Sequence, residues 1–141
     1  MKCPGILLAA AIASMMCIAG SGLSQAQQQQ HRGITHTPLL HTLLSGTNNQ
    51  EVTVWDTEYA PGAENPRHKH PAAITFYVLS GIGVWQEDGK SPVTLHTGET
   101  LFCPSGTVHA HWNPSTTETL RFLEFIAAEK GKEGSISMPQ N

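Results

Sequence analysis

Charge is scarce in this chain. Of its 141 residues, 13% are Asp, Glu, Lys or Arg, where a soluble domain usually carries about a quarter. The sum is mildly acidic, a formal net charge of -3. With no run of Lys or Arg, this argues against nucleic acid or an anionic membrane as a partner. Sustained helical periodicity is also missing, so a helical bundle is not expected. Cysteine is limited to Cys3, Cys17 and Cys103. Hydrophobic residues still make up 39%, enough for a single compact core in a chain of one domain's length.

The main apolar run lies at the start. Lys2 is followed by an Ala-rich apolar stretch from Ile6 to Ala19, and Ser24-Gln25-Ala26 has the small-x-small pattern of a signal-peptidase site. The run is shorter than the ~20 residues a bilayer core requires and is followed by Gly20 and Gly22, which disfavours an anchor. A lipoprotein reading is weak because Met15-Met16 precede Cys17. Residues 1–26 therefore read as a signal peptide cut after Ala26, which makes the mature chain secreted or periplasmic and free of the membrane. Cleavage leaves Cys103 alone, so no internal disulfide forms. As a metal ligand or redox-sensitive thiol Cys103 would be functional; a small buried hydrophobe is the favoured reading.

The mature chain divides into a polar tail and arm (27–45), a β-rich body (46–128) and a C-terminal tail (129–141). Within the arm, Ile34 to Leu44 suits an edge strand or an irregular segment, and His36 and His41 read as surface residues. From Glu51 to Tyr59 the residues are β-branched and aromatic, ending at Pro61-Gly62. Seven further short segments follow: Pro66 to His70, Ile74 to Leu79, Ile82 to Glu87, Ser91 to Leu95, Glu99 to Cys103, Val108 to Trp112 and Thr119 to Ala127. Asp88-Gly89 suggests a type I′ hairpin turn. This spacing predicts an all-β sandwich or barrel of about eight or more short antiparallel strands.

The histidines are where chemistry concentrates. His68 and His70 are two apart, so on one strand both imidazoles leave the same face. His109 follows the turn Pro104-Ser105-Gly106 and begins another strand, from which a third imidazole meets the other two. Three imidazoles suit a divalent transition metal. If His109 faces inward, so does His111, either as a fourth ligand or as a general base near neutral pH, or simply as a filler of the interior. Ile74, Phe76, Trp85 and Trp112 are candidates for an apolar pocket wall.

These spacings resemble the two motifs of the cupin superfamily, G-x5-H-x-H-x3-E-x6-G and G-x5-P-x-G-x2-H-x3-N. Gly62, His68, His70 and Gly81 fit the first, and Gly98, Pro104, Gly106, His109 and Asn113 fit the second. The resemblance covers most of the chain after the leader and is similar to small single-domain bacterial cupins. It implies a jelly-roll barrel with metal on His68, His70 and His109, and a homodimer through exchanged arms. One position departs: Ile74 stands where the family has its glutamate ligand. Some cupins work with three histidines, thiol dioxygenases among them; others have lost their metal.

Two functional readings follow. One is a dioxygenase-like enzyme using iron, nickel, copper, zinc or manganese at a three-histidine site on a small anionic or aromatic molecule. The other is a non-catalytic small-molecule-binding cupin, with or without metal. A purely structural barrel gives no reason for histidines at all three motif positions.

Overall fold

The computed structural model describes residues 33–132 and 134–140. The expected leader, Cys3, Cys17 and the Gln27–Gln30 tract lie outside the described residues. Ten strands follow in order: β1 (Ile34–Leu43), β2 (Gln50–Tyr59), β3 (Glu64–Lys69), β4 (Ala73–Ser80), β5 (Ile82–Glu87), β6 (Val93–His96), β7 (Thr100–Cys103), β8 (His109–Trp112), β9 (Leu120–Glu129) and β10 (Ile136–Ser137). There is no helix among the described residues. The strands form two five-stranded sheets, β1-β2-β9-β4-β7 and β10-β3-β8-β5-β6, and every pairing is antiparallel. This is the all-β architecture the strand pattern predicts, in the jelly-roll form the cupin resemblance implies.

Alternation along each strand builds the core. On β9, Leu120, Phe122, Glu124, Ile126 and Ala128 are buried, while the residues between them face outward. On β4 the buried set is Ile74, Phe76 and Val78. With Tyr59, Trp85 and Leu95 these side chains form one continuous cluster, whose removal from water is the main stabilising term.

Motif glycines shape the connections. Gly81 joins β4 to β5 at φ 80°, and a Cβ there would lie 2.7 Å from the Thr119 carbonyl oxygen. No other residue type fits both constraints. The Asp88-Gly89 turn differs from expectation. Gly89 has φ 74°, but Asn49 is the only described non-glycine residue with positive φ, so Asp88 does not take the conformation a type I′ turn requires. Strand pairing ends at Trp85↔Val93, which makes the connection longer than a two-residue hairpin. Asp88 instead pairs with Arg67 of β3.

Both termini of the described chain engage the sheets. β1 pairs along nearly its whole length with β2 as the edge strand of its sheet, resolving the arm as a strand. The C-terminal stretch, expected as a solvated tail, is exposed yet ordered by pairing. Ile136 and Ser137 pair with Lys69 and His68, and Met138 N–H donates to the Arg67 carbonyl.

Candidate metal centre and its cavity

Three local devices place the histidines. Pro66, which has no N–H to give to a ladder, lies where the β3–β8 register shifts between Asn65 and His68. Such an irregularity re-aims side chains beside a site. Beyond β3, the carbonyl of His70 accepts the Gly106 N–H at 2.8 Å, tying the first motif to the turn that precedes His109. Asn113 then locks the far end of β8. Its buried amide donates to the carbonyls of Tyr59, Ala60 and Glu118, and its Oδ1 accepts the Ser115 N–H.

His68, His109 and His111 are all buried, and one nitrogen from each lies within 4.8 Å of the others. The alternation that carries His109 inward carries His111 with it. His70 stands beside this group, its ring centroid 4.9 Å from that of His68 and 5.5 Å from that of His109. The compact triad thus takes His68 and His109 from the expected set and adds His111, with His70 adjacent.

The tautomers suit a metal. Nδ1 of His68 lies 2.7 Å from the Pro66 carbonyl oxygen and Nδ1 of His109 lies 3.1 Å from the Thr107 carbonyl oxygen. A carbonyl only accepts, so each Nδ1 carries the hydrogen and each Nε2 keeps its lone pair. Nε2 of His109 is buried without a hydrogen-bond partner among the described residues. Nδ1 of His111 lies 3.0 Å from the Tyr59 hydroxyl; when Nδ1–H donates to that oxygen, Nε2 of His111 keeps its lone pair, while Nε2 of His68 lies 3.4 Å from the Asn65 amide nitrogen. Histidines anchored through one ring nitrogen, with the other left to accept, are the arrangement found around metal-bound histidines.

Electrostatics favours the neutral, ligating form. Burial lowers the pKa of His109. Burial also lowers that of His111 far below its ordinary value, with further repulsion from His68, His109, His70 and His36. So many imidazoles cannot all be cations in one dry space. The donor set therefore fits a borderline transition metal.

Ile74 is fully buried in the core cluster and supplies no ligand. Trp112, expected on the pocket wall, faces the opposite side of its sheet. It lines an outer groove with Glu64, Arg67, Gln86 and Asp88, because it follows His111 on an alternating strand. Phe76 and Trp85 do lie inside, with ring centroids 5.4 and 5.7 Å from His111. Cys103 is a buried thiol 3.4 Å from Nδ1 of His109, and burial raises its pKa, as suits a packed residue.

A cavity of about 290 Å³ opens beside the triad, lined by His70, His111, Asn65, His36, Trp55, Glu124, Ile126 and Ser135. Its second wall holds residues that local motifs do not mark. Thr57 donates to Oε1 of Glu124 at 2.9 Å, and Nδ1 of His36 lies 3.0 Å from the Thr57 hydroxyl. Burial raises the Glu124 pKa to about 7, against the opposing Thr57 hydrogen bond. His36, expected as a surface residue, stands at this cavity with its side chain 44% exposed. Strand alternation is the signal for Glu124: it replaces an apolar residue in the inward series of β9.

Comparison with known proteins identifies the class. The cupin domain model matches residues 55–126, about half of the chain, and the chain belongs to the cupin family. It is 30% identical over 137 residues to auxin-binding protein T85 of Nicotiana tabacum, covering 86% of this chain and 72% of that protein. It is 30% identical over 94 residues to oxalate oxidase 2 of Hordeum vulgare, covering 61% of this chain but only 42% of the oxidase. Among solved structures, a cupin-like protein from Thermotoga maritima matches at a TM-score of 0.62 with 26% identity, over 76% of this chain and 77% of that one.

Proposed function

We propose that this cupin is a secreted metal-binding protein in which His68, His109 and His111, with His70 at an adjoining position, hold one divalent transition metal beside a pocket for a small organic anion. The observation that carries the reading is that three buried histidines bring one ring nitrogen each within 4.8 Å of the others, with Nδ1 of each held beside an oxygen. When bound, a redox-active ion would supply oxidation chemistry and zinc would supply Lewis acidity. Neutral histidines leave the ion's charge uncancelled, so an anionic ligand is favoured. Trp55 and Ile126 offer that ligand apolar contact. The reaction class we favour is dioxygenase-like. Metal analysis by mass spectrometry tests the site on the chain beginning at Gln27, purified without a histidine tag. About one equivalent of ion, lost in His68→Ala/His111→Ala, is expected; no binding after incubation with iron, nickel, copper, zinc or manganese overturns the reading.

A non-catalytic binding cupin is the second reading. One relative is named for binding auxin and another as an oxalate oxidase, so binding and catalysis both occur among similar chains. Dioxygen consumption with bound ligand separates the two. Secretion rests on the residues before Gln27, and N-terminal sequencing of exported protein should begin at that residue.

A homodimer is supported by exposed apolar side chains, Leu40, Phe125 and Phe102, on the outer face of the first sheet. Leu40, Val54, Phe125, Thr75 and Phe102 are successive register partners, and Phe102 is 60% exposed. Such a face is unusual on a monomer. Light scattering should give twice the chain mass, falling to one chain in Phe102→Glu/Phe125→Glu; a monomeric native protein refutes the dimer.

A further inference from the structure

The histidine cluster accounts for one wall of the cavity. The opposite wall contains a carboxyl group in a place where burial alone would select a hydrophobic residue. Glu124 is only 7% exposed and lies in the inward series of β9 between Phe122 and Ile126. One oxygen, Oε1, is held by the Thr57 hydroxyl. Oε2 has no hydrogen bond among the described residues, and the side chain borders the cavity that also reaches His70 and His111. A buried carboxyl costs free energy unless something satisfies it. Here one oxygen is anchored, and the side chain borders the space where a ligand would sit.

We propose that Glu124 is a ligand-binding residue whose Oε2 accepts a hydrogen bond from the hydroxyl of a small hydroxy acid, while the acid's carboxylate lies at the histidine centre. This deepens the metal-binding reading and rests on it for the position of the carboxylate. The two ends of the cavity are chemically opposite. The histidine end attracts an anion once an ion is bound, and the Glu124 end repels a second anion and welcomes an O–H donor. Trp55 and Ile126 lie on the same wall and can flank the carbon chain between the two ends. A volume of about 290 Å³ sits at the lower end of the range for small-molecule sites, which selects a compact bifunctional acid.

The charged and titratable surroundings do not supply a competing partner for Oε2. From β1, Nδ1 of His36 lies 3.8 Å from Oε1. From β2, Tyr59 is directed to His111 and Thr57 to Oε1. His70 and His111 face the cavity from the other wall. Burial keeps the Glu124 carboxyl near its midpoint at neutral pH, at about 7, so at pH 8 it is mainly an acceptor.

The test uses zinc-loaded protein at pH 8 and calorimetric titration with glycolate, 3-hydroxypropionate and 4-hydroxybutyrate, each against acetate, propionate or butyrate. This series moves the hydroxyl stepwise away from the carboxylate. One hydroxy acid is expected to bind roughly tenfold more tightly than its parent acid, as a hydrogen bond to a charged group allows. The preference should vanish in Glu124→Met and shrink in Glu124→Gln, whose amide still accepts from Thr57, with zinc content unchanged. A preference that survives Glu124→Met or is undiminished in Glu124→Gln, or no preference at any chain length in zinc-loaded native protein, overturns the assignment and leaves the metal site standing. If the protein takes up no zinc yet keeps a Glu124-dependent hydroxyl preference, the metal reading fails and the Glu124 contact is retained.

Discussion

The two walls of the cavity were built by different rules. The histidine wall comes from β3, β8 and the turns around them, where ligands lie two residues apart and the Nδ1 partners of His68 and His109 are two residues away. The carboxylate wall comes from β1, β2 and β9, whose members His36, Thr57 and Glu124 are spread over 89 positions and meet only through sheet register. Thr57 pairs with Phe122 and Trp55 with Glu124. The first wall offers lone pairs for a cation; the second offers a buried acid. Tyr59 belongs to both, standing on β2 while bonding to His111.

The largest effect should come from the floor the walls share. Phe122 is fully buried, with ring centroids 5.2 Å from Tyr59, 5.9 Å from Phe76, 5.4 Å from Trp85 and 6.0 Å from His111. Phe122→Ala should lower the unfolding free energy by about 3–5 kcal/mol, read from urea denaturation. A loss below about 1 kcal/mol would mean that the walls do not rest on a common core.

Next in size is the pH dependence of the second wall. In metal-free protein, Glu124 holds its proton to about 7 in the fold, against an ordinary 4.5. Between those values the unfolded chain has released a proton that the folded chain still binds. Stability therefore falls as pH rises from about 4.5 to about 7 and levels off above it. At about 1.36 kcal/mol per pH unit, the difference between native protein and Glu124→Gln should change by about 3 kcal/mol across that interval, in the direction that favours Gln at high pH. A flat difference would show that the carboxyl is not desolvated.

Tyr59→Phe separates the walls directly. Removing the hydroxyl frees His111 from its Nδ1 partner, and loss of such an outer partner typically weakens metal affinity by about 10–100-fold. Glu124→Gln should leave metal affinity unchanged. Competition with a chelator measures both. Equal losses would place Glu124 among the groups supporting the metal, and no loss in Tyr59→Phe would remove the phenol from that role.

This division also explains what the sequence made readable. Short-range signals carried nearly every strand and the histidine motif, because spacing of two on a strand and glycines at tight turns act within a few residues. Inwardness of His111 followed from the same alternation. Trp112 was misplaced by neglecting that alternation one residue further on. Glu124 carries no such local signal: the inward polar residue of β9 becomes meaningful only when β9 pairs with β2 and β4. The Asp88-Gly89 turn took another form because Arg67, distant in sequence, holds Asp88.

The smallest effect probes how the second wall is tuned. Thr57 is fully buried and its hydroxyl donates to Glu124, which favours the ionised carboxyl and opposes the upward push of burial. Thr57→Val removes that donor at nearly constant volume but not at constant polarity. The Glu124 transition should then move to higher pH. The stability cost should be about 1 kcal/mol and concentrated above neutral pH, where an ionised Oε1 loses its donor; in acid, where the carboxyl is protonated, it should be smaller. Comparing unfolding of Thr57→Val and native protein at pH 5 and pH 8.5 reads both. A cost equal at the two pH values, or a transition shifted downward, would mean that Thr57 only packs against the sheet and that desolvation alone sets the proton affinity of Glu124.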